Sequence, residues 1–186
     1  MRLFIYIVVA LSLTGCATLE RAALPESSLL EQNWMEAAGT ATVEIDQTIW
    51  DTFLARYIST DAAGINRLDY SAVATTDHAQ LRGYIASLEL INTKDLSSDQ
   101  QLAFWINLYN AKTVDIVLSE YPVDSILDIK DGILPTGPWK RKVLRVDSRE
   151  LSLNDIEHGI VRPVFEDARI HYALNCAASG LSLIHI

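Results

Sequence analysis

SSDQQLAFWINLYNAKTVDIVLSEYP, residues 97 to 122, is the stretch on which the fold turns. It predicts a helix that opens at "SSDQQ", where Ser98 and Gln101 have the spacing of a capping box. The helix should run to about Glu120 before Tyr121 and Pro122 stop it. Two apolar stripes run along it. Leu102, Trp105, Ile106, Tyr109 and Thr113 make one, and Ala103, Asn107, Asn110, Val114 and Val117 the other, so the helix should be buried over much of its circumference. Asn107 and Asn110, three residues apart, then lie on one face and point inward. Burying an amide without partners costs on the order of 1–3 kcal/mol. Each amide must therefore find hydrogen bonds or line a site.

Outward from this helix, the chain reads as one α+β domain. Behind a plausible Asp46 cap, Ile49, Trp50, Phe53, Leu54 and Tyr57 recur at helical spacing, and this helix should end near Ser59. "DAAGINRLDYSAV" supplies a turn at Gly64 and a short connection. "TTDHAQLRGYIASLELIN" predicts a second helix with Leu81, Tyr84, Ile85 and Leu88 on its buried face and His78 solvated in its first turn. After the central helix, "SILDIKDGILPTGPWKRK" is rich in breakers and should hold no regular element. Trp139 and the run Lys140, Arg141, Lys142 within it read as a solvated segment or a ligand-facing lip. "KVLRV" and "ELSL" flank "DSR" as a β-hairpin, and "SLNDIEHGIVRP" starts a short helix with Ser152 as cap and Asp155 three residues on. "RIHYALNC" alternates β-forming residues and predicts a core strand ending at Asn175 or Cys176. The helical N-terminal part should pack on a small antiparallel sheet.

The beginning of the chain has a different character. "MRLFIYIVVALSLTGC" combines a basic start at Arg2 with an apolar run from Leu3 to Leu13, which is a secretory signal too short for a membrane span. Its ending in small residues followed at once by Cys16 resembles the lipobox of bacterial lipoproteins. That resemblance implies cleavage after residue 15 and lipidation of Cys16. Ala17 follows Cys16, and not the aspartate of an inner-membrane retention signal, which directs the expectation to the outer membrane facing the periplasm. Residues 17 to about 44 mix alanine, polar residues and Pro25 without a sustained period, as a tether would. The full chain has 186 residues and a net charge of −9; removal of residues 1–15 takes away Arg2 and moves the charge to −10. A balance this acidic argues against nucleic acid or an anionic membrane surface as a direct ligand. Lipidation would leave Cys176 as a lone cysteine in an oxidising compartment.

"LAFWINLYNA", "YPVDSI", "GPWKRKV", "LSLNDIEHGI" and "RIHYALNC" together resemble, in this order and spacing, the domain of unknown function family 547. The resemblance covers roughly residues 45 to 179. It implies no activity, since none is attached to the family. Where that family usually continues past the cysteine with a serine, a second cysteine and a proline, this chain has Ala178, Ser179, Gly180 and "LSLIHI". Residues 180–186 therefore read as a truncated or unrelated tail, and the segment missing there is where the partner of Cys176, or the reactive thiol itself, is to be sought.

The polar side chains available for chemistry are Asn107, Asn110, Glu157, His158, His171, Asn175 and Cys176. This set suits thiol nucleophilic catalysis, which needs a cysteine held as thiolate by a histidine and a third group to orient the imidazole. Glu157 and His158, adjacent on a helix, diverge by about 100° and need separate neighbours. On a regular strand His171 and Asn175 share a face while Cys176 points away, so a His171–Cys176 dyad requires a turn at Asn175. The pairing to test sets Cys176, or a cysteine beyond it, against His158 or His171, with Asn107 or Asn110 orienting and Glu157 in support. Trp105, Asn110, Trp139 and Asn175 are the candidates for contacting substrate. Each residue also has a purely structural role open to it: buried asparagines bond backbone at crossings, and a lone cysteine fills core space.

No metal site is expected, because the spacing fits neither HExxH nor paired CxxC, and no glycine-rich phosphate loop is present. No cofactor is expected. Two functions of different class follow. One is a cysteine-dependent hydrolase or acyltransferase acting on peptide or cell-envelope amide bonds. The other is a non-catalytic periplasmic lipoprotein that presents a binding surface to an envelope peptide or protein.

Overall fold

The computed structural model describes residues 43–62, 64–130, 137–165, 167, 169–175 and 177. The expected signal, the lipidation site at Cys16, residues 17–42 of the expected tether and the terminal segment lie outside them, as does Cys176; Val43, at the tether's expected end, instead packs on the core, and its carbonyl accepts the Gln100 side-chain amide at 2.8 Å. Helix α1, Thr48–Tyr57, begins where the Asp46 carboxylate accepts the Thr48 N–H at 2.9 Å. It ends two residues before the expected Ser59, because Ile58–Thr60 (β1) turns back to pair antiparallel with Asn66–Leu68 (β2). Gly64 takes φ +80° in the turn between them, a conformation that glycine adopts without steric cost. Helix α2, Thr75–Glu89, buries Leu81, Tyr84, Ile85 and Leu88, the face its periodicity predicts. The Trp50 ring of α1 stacks on Tyr84 of α2 at 6.3 Å.

Helix α3, Ser98–Glu120, is the centre of the molecule. Its cap is Ser97, not Ser98: the Ser97 hydroxyl accepts the Gln100 N–H at 3.3 Å and the Gln100 amide oxygen accepts the Ser97 N–H at 3.0 Å. The sequence contains both registers, and burial selects between them. Gln101 lies inside and donates to the Thr93 carbonyl at 2.8 Å, so it is not free to cap. Phe104, Leu108, Ala111, Thr113, Val114 and Val117 are fully enclosed, and the helix is buried on most of its circumference from Phe104 onward. Ala103, assigned to an inner stripe, is exposed.

The expected hairpin forms from Leu144–Val146 (β3) and Arg149–Leu151 (β4). Leu144 and Val146 point inward while Arg145 points out, as a period of two requires. Asp147 and Ser148 both take positive φ, the backbone of a two-residue hairpin turn. The Asp147 carboxylate then accepts the Thr93 hydroxyl at 2.5 Å, fastening the turn to the segment before α3. Among the described residues the β-structure is thus two separate two-stranded sheets, and helices supply most of the rest of the core. Among the described residues no helix is long and apolar enough to cross a membrane.

Two elements around the candidate polar residues depart from expectation. The "IEHGI" segment is a π-helix, Asp155–Val161, continued by one α-helical turn, Arg162–Phe165 (α4). Its start follows the predicted pattern: the Asp155 carboxylate accepts the Ser152 N–H at 2.7 Å and the Ser152 hydroxyl accepts the Asp155 N–H at 3.2 Å. The "RIHYALNC" segment is not a strand. Ile170–Ala173 (α5) form a single helical turn, entered where Asp167 accepts the Arg169 N–H at 2.8 Å, and the chain extends only at Leu174. No neighbouring strand runs beside it among the described residues, so alternating β-formers have no ladder to join. The ladder's place is taken by one side chain of α3, Asn110.

Candidate functional site

Asn110 is 8% exposed. Its amide nitrogen donates to the Ala173 carbonyl at 2.9 Å, and its amide oxygen accepts the Asn175 N–H at 2.7 Å. A single side chain thereby satisfies a donor and an acceptor of an irregular segment, which would otherwise be costly to bury. Asn175, itself 2% exposed, accepts the Ala177 N–H through its side-chain oxygen at 2.8 Å, and Ala177 takes φ +52°. That is a turn built at Asn175 by its own side chain.

One residue earlier on α3, Tyr109 holds the second segment. Its hydroxyl donates to Glu157 Oε2 at 2.9 Å, while Arg162, five residues along, donates to Glu157 Oε1 at 2.6 Å. A buried tyrosine hydroxyl needs a polar partner, and the π-helix presents Glu157 to it. The widened turn shows in the bond from the Arg162 N–H to the Glu157 carbonyl; π-turns of this kind are frequent at functional sites. His158 Nε2 stands 4.0 Å from Glu157 Oε1, inside ion-pair range and beyond hydrogen-bond range. Burial pushes the His158 imidazole below its ordinary value; Glu157 opposes that shift and Arg162 adds to it.

The remaining candidates lie elsewhere or inside. Asn107 is half-buried and faces the start of α1, with its amide nitrogen 3.4 Å from the Gln47 side-chain oxygen, which also accepts from the Tyr84 hydroxyl. It is not with Glu157 and His158. Trp105 is 1% exposed, with its ring edge-on to Phe104 at 4.9 Å, and is a core side chain. Trp139 packs half-buried on the core and lies over Gly137, where a Cβ would come within 2.4 Å of the indole nitrogen. Its carbonyl accepts the Asn154 N–H at 3.0 Å, tying this loop to the π-helix entrance. The backbone of His171 belongs to α5.

A second polar cluster has no counterpart in the sequence reading. His78, expected to be solvated, has its Nε2 2.8 Å from Asp115 Oδ1 of α3. Arg82 Nε reaches the same oxygen at 2.8 Å, and Lys112 Nζ reaches Oδ2 at 2.7 Å. Burial alone would raise the Asp115 pKa, but the hydrogen bonds from Lys112, Arg82 and His78 together outweigh it and bring it to about 2. The signal was present: a carboxylate inside the apolar run "TVDIV" of a buried helix must be paired, and Lys112 stands three residues before it. Among the described residues no three His, Cys, Asp or Glu side chains group as a metal would require.

The fold is therefore a mixed α+β domain around one buried helix, with two irregular segments fastened to neighbouring residues of that helix. The chain belongs to the DUF547 family, described as proteins of unknown function, whose profile matches residues 93–186. The match starts just before α3 and takes in the hairpin, the π-helix and everything after it. It leaves α1 and α2 outside, whereas the resemblance read from the sequence began near residue 45. No curated protein and no solved structure matches the chain.

Proposed function

We propose that this protein is a cysteine-dependent hydrolase or acyltransferase acting on peptide or cell-envelope amide bonds, held in the bacterial envelope by lipid on Cys16. One observation carries the reading. Tyr109 and Asn110, neighbours on α3, fasten respectively the segment bearing Glu157 and His158 and the segment that runs through Asn175 into Cys176.

In this reading His158 takes the proton from the Cys176 thiol, and the thiolate attacks the amide carbonyl carbon. The C–N bond breaks, the amine leaves with the proton from the imidazolium, and a thioester remains on Cys176. Water or an acceptor amine then takes the acyl group and frees the thiol. Glu157, fixed by Tyr109 and Arg162, supports the imidazolium that forms between the two proton transfers.

The test is alkylation of the 186-residue chain carrying Cys16→Ser, in which Cys176 is the sole thiol. The rate with iodoacetamide is followed against pH. The expected apparent pKa lies well below the ordinary thiol value of about 8.5 and returns toward it in His158→Ala. A thiol that titrates near the ordinary value in both proteins overturns the proposal and favours a binding lipoprotein. Lipidation is read separately, by incorporation of labelled fatty acid that Cys16→Ser abolishes.

A further inference from the structure

The Asp115 cluster lies well along α3 from the Tyr109–Asn110 pair and opens onto solvent. A groove of about 480 Å³ runs over it between α2 and α3. Arg82, Lys112, Asp115 and Ser119 form its polar part, and Ile85 and Ala86 form an apolar wall that ends at Glu89.

The groove carries cationic groups that are already held in place. Lys112 is mostly covered, and its ammonium group is fixed by Asp115. Arg82 is anchored twice, by Nε to Asp115 and by Nη2 to the Ser119 hydroxyl at 2.9 Å; Ser119 in turn donates to the Asp115 carbonyl at 2.6 Å. The Arg82 side chain is nonetheless 56% exposed. Among the lining residues Asp115 and Glu89 carry two negative charges against the two positive charges of Arg82 and Lys112, and Glu89 stands at the other end of the groove from the cations. Asp115 and Ser119 use only part of the donor capacity of an ammonium with three N–H groups and a guanidinium with five. Glu89, at the far end, accepts the Arg145 N–H at 2.6 Å and so is directed toward the β3–β4 hairpin.

We infer that the α2–α3 groove binds a small ligand through an oxyanion, a carboxylate or a phosphate, received by Arg82 and Lys112. Preorganisation favours such binding: a buried carboxylate and a serine hold both cationic groups before a ligand arrives, so little side-chain freedom remains to be lost. Asp115 also has a reason to lie deep in the helix pair, since its position aims both side chains at one opening. The remaining apolar wall suits a ligand with a short hydrocarbon part next to its anionic group.

The test uses the full chain and two probes, inorganic phosphate and acetate, titrated against chloride at constant ionic strength while backbone amide shifts are recorded. Saturable shifts centred on Arg82, Lys112, Asp115 and Ser119 are expected with at least one probe, and which probe saturates identifies the anion class. Arg82→Gln should weaken that binding by about ten-fold, the value of one charge-assisted hydrogen bond. Arg56→Gln, at a different exposed arginine, should not. The wild-type shifts keep the test decisive even if Arg82→Gln folds poorly. Linear, unsaturable shifts with both probes, shifts centred elsewhere, or equal weakening by both substitutions would overturn the inference.

Discussion

Asn110→Ala removes the side chain on which the most specific geometry of this domain depends. The wild-type amide makes two hydrogen bonds to backbone, 2.9 Å to the Ala173 carbonyl and 2.7 Å from the Asn175 N–H. Each contributes about 0.5–1.5 kcal/mol net, and each backbone group left orphaned in a buried setting costs about 1–3 kcal/mol. Water entering the space left by the truncated side chain recovers part of that, so the expected loss is about 3 kcal/mol. For a domain of this size that corresponds to a fall in Tm of roughly 9 °C. Asn107→Ala is the matched control, because it deletes the same amide from the same helix but loses one 3.4 Å contact on a half-buried side chain. It should cost under about 1 kcal/mol. Urea denaturation followed by tryptophan fluorescence measures both, and amide hydrogen exchange locates the effect. Protection of the Asn175 N–H should drop in Asn110→Ala beyond what the global loss accounts for. If the two substitutions cost the same, or if the Asn175 amide exchanges at its wild-type rate, then Asn110 does not hold the terminal segment.

Three further outcomes are expected. Asp115→Asn should cost about 2 kcal/mol at neutral pH, from a carboxylate pKa displaced from about 3.9 to about 2 on a side chain that is nearly buried. The sign follows from the lowered folded value: the contribution is complete above about pH 4 and is lost as pH falls through about 2, so acid-unfolding curves of wild type and variant should converge there. His158 also has a depressed folded pKa, but as a base it destabilises the fold on protonation. Stability should decline as pH drops below about 6.5, and His158→Gln should flatten that decline in urea midpoints measured between about pH 7 and 5. Ser148→Gly should stabilise the β3–β4 hairpin by about 1 kcal/mol, since Ser148 holds φ +65° at an exposed turn position where glycine carries no Cβ penalty; an unchanged or lower Tm would contradict this.

Much of the architecture was legible because its causes are local. The Leu81, Tyr84, Ile85, Leu88 face, the stop at Tyr121 and Pro122, the hairpin around "DSR" and the Ser152–Asp155 cap all arise from residues within a few positions of one another. The departures from local pattern share a different cause. Ser97 displaced Ser98 as the cap because Gln101 was needed by Thr93, and His78 went inside because Asp115, 37 residues away, required cations. Nothing near either residue in the chain announces those partners.

What the sequence determined by itself was the central helix, its burial and the presence of inward-facing amides, because periodicity and the cost of burying polar groups act on the segment alone. Only the tertiary structure decided what the amides do. Asn110 and Asn107 are alike in type, helix and face, yet one meets an irregular segment 63 residues on and the other meets a glutamine before α1. The same encounter converts "RIHYALN" from an expected strand into a helical turn and an extended end, since a backbone with no neighbouring strand takes its hydrogen bonds where a side chain offers them.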